Sequence, residues 1–117
     1  MLTIDSLRAY GANVEEGLGR CMNMEPFYLK VVGMVRDDVD GSFARLKAAM
    51  AERDTAKTFE AAHALKGSTG NVALTPIFRP VCALSDMLKG NTAMVMGDEC
   101  DRLANEVFDQ YERLKAL

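Results

Sequence analysis

Apolar residues in this chain recur every three or four positions almost from end to end, and no stretch alternates with period two for long. That spacing gathers apolar side chains on one face of a helix, so the chain is confined to an all-α fold. A first helical stretch is predicted over Ile4 to Tyr10, punctuated by Gly11, and a second over Val14 to Met22. Asn13 is placed to cap the second, with Glu15 and Glu16 in the first turn, where the helix dipole favours acids. Glu25-Pro26 opens a longer helix reaching about Arg53, because proline at a first helical position loses no needed donor. Its apolar face runs through Phe27, Val31, Met34 and Val35, then through Phe43, Leu46 and Met50. Between them, Asp40-Gly41-Ser42 reads either as a kink in one helix or as a break between two.

Asp54 is a good cap for the next helix, Thr55 to Val72. Thr75-Pro76 looks like the start of a further one, but Pro80 lacks a donor and crowds the preceding turn. The expectation is an irregular start, firm helix only from Pro80, and an end at Gly90-Asn91. The last helix is expected from Ala93 to Leu114, with Met96, Cys100, Leu103, Val107 and Leu114 close to a heptad seam. Four long amphipathic helices with short connections pack best as an antiparallel four-helix bundle, with a short additional N-terminal helix over one end. The 117 residues, read as one domain over 1–117, are enough for a core without disulfide or metal staples.

Composition narrows the chemistry. Fourteen Lys and Arg against seventeen Asp and Glu leave a net charge of −3, which argues against nucleic acid as a partner. No apolar run approaches the ~20 residues that span a bilayer, and Met1 to Asp5 has no basic, apolar leader, so a cytoplasmic location without membrane is expected. Cys21, Cys82 and Cys100 are odd in number and far apart, as reduced thiols are; a zinc site with His63 would need four remote positions to converge. With one histidine the chain holds a single Glu-x-x-His, Glu60 to His63, and not the two that a di-iron bundle uses, which argues strongly against such a site; no glycine-rich phosphate loop is present, so the chain is not expected to be a kinase. The eight methionines read as core filling.

The helix holding the only histidine carries the most information. At about 100° per residue from Phe59, positions Ala62, Leu65, Thr69 and Val72 form a core arc, and His63 falls roughly 120° from its centre, toward solvent. Ala56, Gly67 and Gly70 surround it with almost no side chain. Each glycine inside a helix costs about 1 kcal/mol relative to alanine, so two beside the one histidine call for a reason. One reason is access for another macromolecule; the other is close packing by a neighbouring helix. Lys66, one turn on, could neutralise an anion on the ring, and Glu60 could accept a hydrogen bond from it.

Ala62-His63-Ala64-Leu65-Lys66-Gly67-Ser68-Thr69-Gly70-Asn71 closely resembles the signature of histidine-containing phosphotransfer (HPt) domains, Ala-His-x-Leu-Lys-Gly followed by small residues. The resemblance extends over the whole chain. It departs at Ala73, where the family often has glycine, at Leu84-Ser85-Asp86, where an acid often follows the leucine directly, and at Pro80. The resemblance implies reversible phosphorylation of His63 in exchange with aspartates of response-regulator receiver domains, fed by a hybrid histidine kinase. It implies Lys66 as a stabiliser of the phosphoryl oxygens and Gly67 as the opening for the receiver, with Phe59, Ala56, Ser68 and Gly70 on the docking surface. It implies no cofactor on this chain, since magnesium sits on the receiver. A monomer is expected, because the last helix is consumed by the bundle. The alternative is a helical adaptor that docks receiver or kinase domains without chemistry.

Overall fold

The computed structural model describes residues 2–89 and 97–117, and all its regular structure is helical. Two short helices, α1 (Ile4–Tyr10) and α2 (Val14–Arg20), precede four long ones: α3 (Glu25–Glu52), α4 (Thr55–Asn71), α5 (Thr75–Leu88) and α6 (Asp98–Lys115). Caps set many of the boundaries. Thr3 and Ser6 form a reciprocal capping box on α1, and Gly11 closes it in the left-handed region. The Asn13 side chain accepts from the Glu16 amide, and the Asp54 side chain accepts from the Lys57 amide, as their sequence positions predict.

α3 is one helix through Asp40-Gly41-Ser42. Gly41 lies on the exposed side, while Val39 and Phe43 on either side of it are buried, so packing carries the helix through where local propensity is weakest. α2 stops at Arg20 rather than Met22, because Met22 and Asn23 both take the left-handed conformation. The expectation for Pro80 is corrected. α5 is helical from Thr75, with Pro76 in the first turn and Pro80 inside. The Pro80 ring is buried among Ile77, Val81 and Leu84, and the proline deprives only the Pro76 carbonyl of its partner. α6 begins at Asp98, since Gly97 is extended; the expected start at Ala93, the expected end at Gly90-Asn91, and Met96 lie outside the described residues.

Short connections make α3, α4, α5 and α6 run alternately up and down. α4 packs between α3 and α5, and α5 packs against α6. The ring of helices closes where Phe43 of α3 stacks on Tyr111 of α6, centroids 3.8 Å apart, with Phe108 beside them. At one end Arg53, which ends α3, pairs with Asp101 in the first turns of α6. At the other end α1 and α2 lie across the bundle. Tyr10 donates to the Gln110 carbonyl, and the Asn13 amide donates to the Ala73 carbonyl. The core runs along the bundle axis through Val32, Leu46, Leu65, Leu84 and Leu114, each fully buried and worth about 1.5–3 kcal/mol.

The reading of the methionines as core filling holds only in part among the described residues: Met50 and Met87 pack against the core. Met22, Met24 and Met34 are exposed, and Met50 and Met87 are half-buried.

Candidate functional site

His63 stands in the middle of α4, exposed, as the helical register requires. The opposite face of the same helix is buried at Thr58, Ala61, Ala62, Leu65 and Thr69. Thr58 and Thr69 keep their hydroxyls satisfied inside that face by donating to the carbonyls of Asp54 and Leu65. The helix is therefore anchored by its back, and the imidazole projects from an element that has no freedom to turn. Phe59, one turn earlier, stacks on the ring at 5.7 Å between centroids and 23° between planes. Phe59 is itself half-buried against the core, so it steadies the imidazole from one side and leaves the rest to solvent.

Glu60 does not reach the ring. It faces the opposite flank of α4, in a groove between α3 and α4 with Arg45, Glu52 and Lys57. Its expected hydrogen bond to the imidazole is absent among the described residues: Glu60 lies about 60° round the helix from His63, on the α3 flank, whereas His63 lines the cleft on the α5 flank.

His63 lines a cleft of about 400 Å³ with Lys66, Gly67, Gly70 and Asn71 of α4. Ala73 of the α4–α5 turn, with Thr75 and Phe78 of α5, forms its far wall, and Glu16 and Arg20 of α2 close its end. Lys66 is half-buried beside α5, where it acts on Cys82: burial pushes that thiol up, and the nearby ammonium pulls it part of the way back. Ala56 is exposed two turns before His63 and does not line the cleft. Ser68 is not brought to the cleft either; its hydroxyl donates to the Ala64 carbonyl of its own helix, 3.2 Å away.

The two glycines part company. A Cβ at Gly67 would meet nothing within 4 Å, so this position is open surface beside the imidazole. A Cβ at Gly70 would lie 2.7 Å from Cε1 of Phe78, so this position is bare because α5 presses against it. For Gly70, close packing replaces access as the physical reason.

The N-terminal segment supplies residues that periodicity on α4 could not reveal. Arg20 donates from Nη1 to the Gly70 carbonyl and from Nη2 to Glu16, both at 2.6 Å. The i,i+4 pair on α2 is visible in the sequence; its docking on the last turn of α4 is not. Tyr28 of α3 is fully buried and donates to the Val72 carbonyl at 2.9 Å, which fixes the end of α4 from the inside. Burial, with the negative charge of Glu15 and Glu16 nearby, pushes the Tyr28 hydroxyl up to about 12. Ala73 has φ +58, a left-handed conformation, which explains why glycine would be at home there.

No described helix is long and apolar enough to cross a membrane. Among the described residues no three His, Cys, Asp or Glu side chains are grouped to hold a metal ion. Comparison with family models finds the Hpt domain over residues 30–116. Searches of curated proteins and of solved structures give no match.

Proposed function

The chain belongs to the Hpt-domain family and has its role of histidine phosphotransfer in two-component signalling, and on that premise we propose that His63 is the phosphoryl carrier, exchanging with aspartates of response-regulator receiver domains. The observation that carries this is an exposed imidazole on a rigid helix, at a cleft whose neighbouring position, Gly67, is open.

In the forward step a lone pair of the imidazole attacks the phosphorus of an aspartyl phosphate. The N–P bond forms as the P–O bond to the aspartyl oxygen breaks, and the carboxylate leaves as an anion. Solvent reaches the exposed ring and takes the proton released from the other nitrogen. The reverse step returns the phosphoryl group to an aspartate. Phosphoryl transfer of this kind needs positioning and charge neutralisation more than covalent chemistry from the protein. Phe59 positions the ring, Lys66 offsets charge on the phosphoryl oxygens, and the bare surface at Gly67 admits the receiver. The magnesium of the reaction belongs to the receiver. The chain acts as a carrier without a kinase activity of its own, in the cytoplasm, with receivers and a hybrid kinase as its partners.

The test is incubation with a radiolabelled phospho-receiver, His63→Gln beside the wild type. Label on the wild type alone, labile in acid and stable in alkali, is the expected result. Label on both proteins would place the site elsewhere. Binding of receivers without label would make the chain an adaptor.

A further inference from the structure

The seams of the four-helix ring are not equal. α4 packs closely on α3 and α5, and α5 on α6, whereas α6 meets α3 only sparsely, around the Phe43–Tyr111 stack. Along this looser seam runs an open groove of about 440 Å³, lined by Phe43 and Tyr111 with half-buried Phe108 beside them. The groove lies on the α3–α6 flank of the bundle, and the His63 cleft lies on the opposite, α4–α5 flank. We propose that the groove is the contact between two copies of this chain, an antiparallel homodimer in which α3 lies against α3 of the partner and both His63 clefts face away. This goes beyond the carrier reading and does not depend on it.

Charge selects a second copy as the occupant. The α6 wall is already neutral, because Lys115 pairs with Glu112 at 2.9 Å and its ammonium sits over the Tyr111 ring. The α3 wall is not. Asp40 and Lys47 are both exposed there and make no ion pair among the described residues. A partner that satisfies both must present one base and one acid at the same spacing in reversed order, and α3 of a second copy does so. Seven residues are close to two turns, so Asp40 and Lys47 sit within about 20° of each other round the helix and about 10 Å apart along it. A two-fold axis passing midway, between Phe43 and Ala44, brings Lys47 level with Asp40 of the partner subunit, and symmetry forms the same pair again. A partner surface of a single sign would set a like charge against one of the two. Shape agrees with charge. Ala44 lies between the two charges and exposed Ala51 lies one turn past Lys47 on the same side, so the two axes can approach to about 8 Å, the close end of helix packing. Phe108 and the edge of the aromatic stack are the apolar surface that such an approach takes out of water. The monomer expected from the sequence assumes that the bundle consumes α6; it consumes the α5 side of that helix and leaves the Phe108 side on an open groove.

The test is sedimentation equilibrium of the full chain over about 5–500 µM. Wild type should dimerise with a micromolar Kd that weakens as salt is raised. Asp40→Lys makes the α3 wall wholly basic and Lys47→Asp makes it wholly acidic, so each variant alone should associate about tenfold or more weakly than wild type. An equimolar mixture of the two should dimerise again, and the double exchange Asp40→Lys/Lys47→Asp should recover the wild-type Kd. Both residues are exposed and unpaired within the chain, so the variants should keep the wild-type melting point. A wild type that stays monomeric throughout overturns the inference and leaves the groove to a partner of another kind. A dimer that neither single reversal weakens, or single variants that fail to associate when mixed, overturns it as well. Should a single reversal melt early, the double exchange and the salt dependence of wild type are read against the same outcomes.

Discussion

The middle and the end of α4 differ more than their three-residue separation suggests. Around Gly67 the helix surface is empty, with an exposed imidazole next to it. Around Gly70 it is gripped by its neighbours: Phe78 lies over the backbone, Arg20 holds the Gly70 carbonyl, Tyr28 holds the Val72 carbonyl, and the Asn13 amide holds that of Ala73. One residue type, repeated on one side of one helix, marks an approach in the first place and a tight contact in the second. The closed end is what lets the open middle stay rigid, since His63 is aimed by a helix that is locked at its C-terminus.

Substitutions at the closed end should damage folding, and those in the middle should damage transfer. The largest effect is expected from Gly17→Ala. A Cβ there would overlap the Tyr28 ring, which is fully buried and tethered through its hydroxyl, so the variant should lose about 3 kcal/mol in denaturant unfolding. A variant of wild-type stability would show that the junction of α2 and α3 yields easily. Gly67→Leu sharpens the contrast. Its Cβ meets nothing within 4 Å and leucine raises helix propensity, so the melting point should hold or rise, while receiver-to-His63 transfer falls at least about tenfold, ~1.4 kcal/mol. Unchanged transfer would remove access as the reason for that glycine.

Tyr28→Phe should cost about 1–2 kcal/mol by leaving the Val72 carbonyl without its donor. It should also change the alkaline limb. The fold raises the Tyr28 hydroxyl from an ordinary 10 to about 12, so it favours the protonated form. That contribution is whole below pH 10 and is lost as the pH climbs toward 12. Tyr10, which burial raises as well, adds to the same loss. A pH series of urea midpoints should therefore fall less steeply above pH 10 for Tyr28→Phe than for wild type; parallel curves would mean that Tyr28 titrates normally. The smallest effect belongs to Ala73→Gly. Relief of a left-handed alanine is worth about 1–2 kcal/mol and loss of its buried methyl about 0.8, so the net gain should be about 0.5 kcal/mol in thermal melts. A clear loss of stability would mean that the methyl contact outweighs the strain.

The helices, the caps at Asn13 and Asp54, the core arc of α4 and the outward direction of His63 were all legible from residue spacing. Each depends on the 3.6-residue period or on a side chain reaching its own backbone three residues on, which are local properties. The continuity of α3 past Gly41 and of α5 through Pro80 was not legible, because burial of Val39, Phe43 and the Pro80 ring overrides a weak or adverse local preference. Nor could the sequence tell Gly67 from Gly70: both are glycines on the His63 side, and only the placement of Phe78 on α5 separates them. Arg20 and Glu16 belong to the same class. Their bearing on His63 depends on how a short helix crosses the end of the bundle, a long-range contact that no periodicity encodes. The sequence by itself determined which surface carries the histidine; the tertiary structure decided what walls it, what supports it and which side lies open, because those depend on neighbours far away in the chain.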